Sequence, residues 1–115
     1  MELKHIDMHA AMGKTIIAHL GSGASMCAMV GGKSVASTMG FSALDGLVMG
    51  TRCGQLDPGV ILYLLQYENM NAHDLETLLY QESGLLGVSG ISNDVRDLMA
   101  SDDPAAKTAL ELFVY

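Results

Sequence analysis

Apolar and polar positions are patterned differently in the two halves of the chain. Up to Gly59, short apolar runs are separated by glycines, and ten of the thirteen glycines lie there. The β-branched run 15–19 and the apolar run 25–30 are each followed by glycine, at positions 21 and 31. A weaker strand is predicted at 34–37. Such runs predict a three-stranded β-meander, with the first strand buried.

Beyond Gly59 the apolar residues recur with helical spacing. Asp-Pro pairs at 57–58 and 103–104 predict two helix starts, because Asp can cap free N–H groups and Pro fits the first helical position. Apolar stripes follow both pairs, as expected for helices with one face turned inward. The stripes comprise Val60, Ile61, Leu64 and Leu65 after the first pair, and Ala106, Ala109, Leu110 and Phe113 after the second.

Two further helices are predicted between these starts. One spans 71–83, with Gly84 as the residue that ends it, and a shorter one runs from about 92 to 98. The apolar residues 112–115 continue to the last position without a stop signal. The fold class is therefore α/β, a β-meander followed by helices, and we expect the chain to be part of a longer protein.

Composition narrows the class of protein. The 115 residues fit one domain, half are apolar and 17% are charged, which excludes intrinsic disorder. A net charge of −7 argues against nucleic acid or an anionic membrane as partner. Cys27 and Cys53 form no CxxC pair, and no leader or spanning segment is visible, so we expect a soluble cytoplasmic protein. The charged fraction is low for a free domain of this size.

The turn after the first strand is the strongest local feature. Glycines at 21 and 23 let backbone N–H groups approach an anion closely, and Ser22 and Ser25 add hydroxyl donors. An ordinary hairpin turn accounts for the same spacing, and both interpretations stay open. The pattern is not the dinucleotide fingerprint, because Met26 stands where a third glycine is required.

Other candidate sites also have two interpretations. Arg52 lies in the apolar, glycine-rich stretch 49–54, where it could hold an anion such as a transferring phosphoryl group, or tie down loop carbonyls. The stretch 89–96 fits helix capping or a nucleotide at a helix start. His5 and His9 have the spacing of a metal clamp, but no third ligand is apparent, so an exposed terminal segment is favoured.

Taken together, these motifs resemble those of the acetate kinase family. The matching segments are 17–25 (Ile-Ala-His-Leu-Gly-Ser-Gly-Ala-Ser), 31–34 (Gly-Gly-Lys-Ser), 38–41 (Thr-Met-Gly-Phe), 49–54 (Met-Gly-Thr-Arg-Cys-Gly) and 83–94 (Ser-Gly-Leu-Leu-Gly-Val-Ser-Gly-Ile-Ser-Asn-Asp). The resemblance covers 14–115, as an internal slice, and leaves 1–13 outside it. It implies part of the second, nucleotide-binding domain of a ribonuclease-H-like, actin-like ATPase fold.

The resemblance also implies an activity and its residues. The family phosphorylates acetate to acetyl phosphate with ATP, reversibly and with Mg²⁺, as a homodimer. Arg52 matches the arginine that steadies the transferring phosphoryl group. The nucleotide-binding residues match His19, Leu20, Gly21, Ser22 and Gly23 in the first segment and Asp94, Val95 and Arg96 in the last. No metal ligand of the family falls in this segment.

Departures from the family pattern limit what the chain is expected to do. Ser22 stands where the family usually has Asn, and Gln55 where it often has Asp. Motifs that supply the metal ligand and most of the acetate pocket are absent, so we expect the isolated chain to be inactive. The alternatives are a propionate or butyrate kinase fragment and a non-catalytic nucleotide-binding remnant.

Overall fold

A computed structural model describes residues 3–115, with side chains from Lys4 onward. Two short helices precede a three-stranded sheet, and five helices follow a long loop. In chain order the elements are α1 (Leu3–Ile6), α2 (Met8–Met12), β1 (Lys14–Leu20), β2 (Ala24–Val30), β3 (Lys33–Ser37), α3 (Pro58–Gln66), α4 (Ala72–Gln81), α5 (Gly84–Ser89), α6 (Val95–Met99) and α7 (Pro104–Val114).

The sheet is the predicted β-meander, antiparallel throughout, with strand order β1-β2-β3. Ile17 pairs with Cys27, and Cys27 pairs with Ser37, so the central strand is bonded on both sides. Gly31 and Gly32 join β2 to β3 with φ angles of 56° and 76°. A side chain resists these angles, which explains the glycine pair at this turn.

The expectation that the first strand is buried is wrong. Six of the seven β1 residues are exposed, and Ile16 keeps 70% of its surface. Of the described elements, α2 packs against β1, and no helix after the long loop packs extensively on the sheet. The β-branched run therefore forms the strand by backbone pairing, while most of its side chains stay uncovered.

Both Asp-Pro pairs begin helices as predicted. Asp57 accepts a hydrogen bond from the Gly59 N–H at 2.7 Å, and Asp103 accepts one from the Ala105 N–H at 2.8 Å. The stripe on α3 is only half-covered, because no residue of α3 is buried and Val60 is 39% exposed.

The predicted helix 71–83 is shorter in the structure. Asn71 caps α4 by accepting from the Asp74 N–H at 2.9 Å, and α4 ends at Gln81 with Glu82 as its cap. Gly84 does have a left-handed φ of 61°, but it begins α5 instead of ending α4. The prediction that Gly84 ends the preceding helix is therefore wrong. α5 itself was not predicted.

The hydrophobic core lies among α5, α6 and α7. Leu85, Leu98, Ala106 and Ala109 are 0–2% exposed. The two alanines let α7 approach α5 closely, and the partly buried side chains of Val95, Leu110 and Phe113 pack around this centre. The predicted apolar face of the last helix is therefore confirmed.

The N-terminal residues form α1 and α2, which the sequence did not predict. Asp7 separates them and caps α2 by accepting from the Ala10 N–H at 3.0 Å. His5 and His9 consequently lie on different helices, both exposed, as the favoured interpretation required. Within residues 3–115, no helix has the length and apolar character needed to span a membrane.

Candidate functional site

The β1–β2 turn has the geometry of a tight hairpin. The Gly21 N–H donates to the Gly23 carbonyl at 2.8 Å, which closes the turn. The Ser22 carbonyl accepts from the Gly50 N–H at 3.2 Å, so the turn also contacts the loop that carries Arg52. The Gly-x-Gly pattern thus forms the hairpin turn that one interpretation predicted. A hydrogen bond from the loop of Arg52 also holds this turn.

Arg52 lies directly against this turn. A Cβ added to Gly23 would lie 2.8 Å from the Arg52 Nη2 atom, so a side chain at position 23 would push the guanidinium away from the turn. The Arg52 Nη1 atom donates to the Ala43 carbonyl at 2.6 Å. The guanidinium therefore ties down a loop carbonyl, as one of the two interpretations predicted, and it also faces the turn; its role toward an anion stays a prediction.

The loop that carries Arg52 is held by the start of α5. The Leu85 N–H donates to the Met49 carbonyl at 2.9 Å. A Cβ on Gly84 would lie 2.2 Å from that same carbonyl oxygen. The Thr51 hydroxyl donates to the Tyr80 carbonyl at 2.8 Å, which adds a contact to α4. These bonds fix the backbone on both sides of Arg52.

A cavity of about 360 Å³ opens between the turn and the loop. Its titratable lining residues are His19, Asp45 and Arg52. Among residues 3–115 the ion pairs are Asp94 with Arg96 and Lys107 with Glu111, so the charge of Arg52 has no carboxylate partner there. An unpaired guanidinium beside a glycine turn suits an anionic ligand.

Not every predicted residue lines this cavity. His19, Gly23 and Arg52 do, whereas Leu20, Gly21 and Ser22 form the turn without lining it. The predicted residues Asp94, Val95 and Arg96 also lie outside the cavity lining.

The segment before α6 nevertheless reaches the turn. A Cβ added to Gly50 would lie 3.0 Å from the Asn93 carbonyl oxygen and 3.4 Å from that of Ser22. Gly50 therefore sits between the turn and the residue that precedes Asp94. Sequence reasoning missed this junction, because spacing along the chain does not show which distant segments a glycine separates.

Asp94 caps α6. Its carboxylate accepts from the Arg96 N–H at 2.8 Å and from the Arg96 guanidinium, which holds the pKa of Asp94 down at about 2. The capping interpretation is thus satisfied at the start of α6, by a half-buried carboxylate and an exposed guanidinium.

No group of three or more His, Cys, Asp or Glu side chains comes together to bind a metal ion in the part of the chain that the structure describes. Ser42, Ala43 and Asp45 are the cavity residues that the sequence reasoning did not single out. Glycines at 40 and 46 on either side of Asp45 were a signal that could have pointed to it.

A comparison of the sequence with protein-family models shows which family this chain resembles. The model described as the acetokinase family matches residues 2–115. The chain belongs to the acetokinase family. The match takes in 2–13, ahead of the motifs quoted above, and it confirms the resemblance that those motifs carry.

Curated relatives of this acetokinase-family chain are acetate kinases. One from Rhodopseudomonas palustris (strain TIE-1) is 67% identical over 105 residues, which are 91% of this chain and 26% of the relative. One from Nitrobacter hamburgensis is 58% identical over 113 residues, which are 98% of this chain and 28% of the relative. The chain thus spans about a quarter of the length of the curated relatives it matches.

Solved structures of the family share the fold. Acetate kinase from Porphyromonas gingivalis matches with a TM-score of 0.87 and 34% identity, over 97% of this chain and 29% of that one. A propionate kinase from Francisella tularensis subsp. tularensis SCHU S4 matches with a TM-score of 0.84 and 39% identity, over 96% of this chain and 31% of that one. The sheet and helices are therefore a part of the actin-like ATPase fold of acetate kinases.

Proposed function

We propose that this chain is the part of an acetate kinase that holds the phosphates of ATP and the phosphoryl group in transfer. The observation that carries the proposal is the Arg52 guanidinium, which faces the Gly23 backbone without a carboxylate partner among the described residues and lines the cavity beside the turn. The membership of the acetokinase family supports the reaction class, a kinase that acts on a carboxylate.

In the proposed reaction an acetate oxygen forms a bond to the γ-phosphorus of ATP. The bond between that phosphorus and the bridging oxygen breaks, and ADP leaves with the electron pair, so acetyl phosphate and ADP are the products. Negative charge spreads over the phosphoryl oxygens during transfer, and a positioned arginine stabilises it. Arg52 has this role in our proposal, and the bond to Ala43 holds it in position.

The turn and the start of α6 are the proposed nucleotide contacts. His19, Leu20, Gly21, Ser22 and Gly23 would place backbone N–H groups near the phosphates, and glycine leaves space for that approach. Asp94, Val95 and Arg96 form the second proposed contact. Because the Asp94 carboxylate accepts from both the N–H and the guanidinium of Arg96, we expect a bound nucleotide to compete with Asp94 for Arg96.

Mg²⁺ is part of the proposed reaction as the ion that accompanies ATP and offsets its charge. The described residues hold no cluster that fits the ion by itself, so we derive no step through it. We further propose that the protein acts in the cytoplasm, as a homodimer in the complete enzyme, without nucleic acid or membrane partners.

The isolated chain is proposed to be inactive, because it spans about a quarter of its relatives. Purified chain with ATP, Mg²⁺ and acetate should yield no acetyl hydroxamate above background. Turnover by the chain that disappears in Arg52→Ala would contradict this expectation.

Binding of ATP tests the site itself. In equilibrium dialysis with labelled ATP, Arg52→Ala should weaken binding roughly tenfold, since a charge-assisted contact of about 1.5 kcal/mol is lost. Lys107→Ala is the matched control, because Lys107 is an exposed cation on α7, away from the cavity. Equal weakening in both variants would contradict a specific role for Arg52.

Two other proposals remain in the same family. The propionate kinase among the structural matches favours a longer acyl chain as a second candidate, and butyrate would be a further step in that direction. A non-catalytic nucleotide-binding remnant is the candidate from another class. Firm ATP binding without turnover, in a hybrid that joins this chain to the remaining segments of a curated relative, would favour the remnant.

A further inference from the structure

An acidic side chain lines the cavity that we assign to phosphate. Asp45 faces the same space as Arg52, yet the two form no ion pair within 4.0 Å. The Asp45 Oδ1 atom instead accepts a hydrogen bond from the Gly46 N–H at 2.9 Å. A carboxylate in an anion site weakens anion binding, so we asked what Asp45 contributes at this position.

The loop is shaped to hold this carboxylate. A Cβ added to Gly40 would lie 2.0 Å from the Asp45 Oδ2 atom, so a side chain at position 40 would displace the carboxylate. Gly46 has a φ of 112°, and a Cβ there would lie 2.4 Å from the Thr38 carbonyl oxygen. Gly40 therefore leaves the space that the Asp45 carboxylate occupies, and the hydrogen bond from the Gly46 N–H holds the carboxylate at the cavity.

The charges in the cavity distinguish between two forms of the same ligand. Arg52 attracts phosphate, and Asp45 repels it. Mg²⁺ offsets part of the negative charge of ATP, so the repulsion falls on the metal-free nucleotide more than on the magnesium complex.

We propose that Asp45 is a specificity-determining residue that selects the magnesium complex of ATP over the metal-free nucleotide at the Arg52 cavity. This inference rests on the proposed function. It concerns a residue outside the turn and outside the start of α6.

Equilibrium dialysis of the full chain tests it, with ATP in excess Mg²⁺ and ATP in EDTA. Wild type should bind the magnesium complex several-fold more tightly. Asp45→Asn should bind metal-free ATP roughly fivefold to tenfold more tightly than wild type, as expected for removal of one nearby like charge. Asp45→Glu should keep the wild-type preference, because it keeps the charge.

Two variants control for net charge and for position. Asp102→Asn removes the same charge at an exposed site outside the cavity lining, and should leave the preference unchanged. Gly40→Ala keeps the charge but displaces it, and should reduce the preference. Far-ultraviolet circular dichroism shows whether each variant is folded, and Asp45→Asn, at an exposed position with nearly the same shape, is expected to be.

The outcomes separate the two proposals. If ATP binds through Arg52 but Asp45→Asn changes the ratio of the two affinities by less than about twofold, Asp45 has no such role and the proposed function stands. If the chain binds neither form, both proposals are overturned. If Asp102→Asn changed the ratio of the two ATP affinities as much as Asp45→Asn does, net charge alone would explain the effect. That result would overturn the inference.

Discussion

The sheet and the α5–α7 cluster are built on different principles. The cluster has a core of its own, in which Leu85, Leu98 and two alanines are almost fully buried. The sheet is held by backbone pairing, and its apolar side chains remain largely exposed, among them Ile16 and Val35. The comparison shows that the candidate site joins a well-packed region to an uncovered one.

This difference accounts for the unusual composition. The exposed apolar side chains of the sheet and of α3 occupy positions where a free domain would carry polar residues. The site draws its turn from the uncovered region and Arg52 from a loop that the packed region holds. The packed region therefore sets the position of Arg52.

The largest expected effect comes from removing a core side chain. Leu98→Ala should lower the free energy of unfolding by about 3 kcal/mol, because it leaves a cavity in the core. Ile16→Ala, in the exposed β1 strand, should change it by less than about 0.5 kcal/mol. Urea denaturation followed by circular dichroism measures both. An equally large loss for Ile16→Ala would mean that the sheet is covered in solution, for instance by self-association.

Two glycines with almost the same backbone angle test the connection between the regions. Gly84 and Gly90 have φ of 61° and 65°, but only at Gly84 would a Cβ meet neighbouring atoms. Gly90→Ala should cost about 1 kcal/mol for the left-handed conformation. Gly84→Ala should cost roughly 2 kcal/mol more from overpacking against Met49 and Arg52, and should also weaken ATP binding.

The same urea denaturation experiment compares these variants. If Gly84→Ala and Gly90→Ala lowered the free energy of unfolding equally, the loop of Arg52 would accommodate a Cβ at position 84 without strain. A loss of ATP binding in Gly90→Ala alone would contradict the idea that the start of α5 positions Arg52.

The smallest effect is expected from the exposed charges of the packed region. The Arg96 side chain lowers the pKa of Asp94 to about 2, so the ionised form favours the folded state. That contribution is present above about pH 4 and is lost as the pH falls through about 2. Since the pair lies at the surface with the Arg96 side chain exposed, salt screens it and little stability depends on it.

Nuclear magnetic resonance of the Asp94 carboxyl carbon measures this titration. The midpoint should lie near pH 2 and should rise toward the ordinary value in Arg96→Ala. The Lys107→Ala variant, which removes the other described ion pair, should leave the Asp94 midpoint where it is. A midpoint that does not move in Arg96→Ala would contradict the hydrogen bonds from the guanidinium.

Much of the fold could be predicted, because its signals are local. Glycine pairs mark the strand ends, and the Asp-Pro pairs place the starts of α3 and α7 correctly, since capping and the fixed φ of proline act within a few residues. The six-residue α5 escaped prediction because it contains two glycines and is too short to show a period. The exposure of β1 also escaped, since burial depends on which other elements pack on a strand.

The sequence indicates several residues of the candidate site, but it does not show which of them lie next to each other in the fold. Gly-x-Gly indicated a close approach to the backbone, yet the group that makes this approach in the structure is the Arg52 side chain, 29 positions beyond Gly23. Asp45 reaches the cavity because of the path of the loop 38–57, for which no periodic pattern exists. Both contacts depend on how the chain folds in three dimensions, which spacing along the sequence does not show.

The backbone of Gly50 connects the turn, the loop of Arg52 and α5. The Gly50 N–H donates to the Ser22 carbonyl at 3.2 Å, and the Gly50 carbonyl accepts from the Leu86 N–H at 2.9 Å. The turn that would hold a ligand is thus one residue away, through two hydrogen bonds, from the helix that forms the core. The Ser83 and Leu85 N–H groups bond to the neighbouring Thr51 and Met49 carbonyls, so α5 holds three consecutive residues of the loop. We therefore expect a bound phosphate that displaces the turn to strain these bonds, so that ligand binding and the packing of the core are mechanically coupled through the loop.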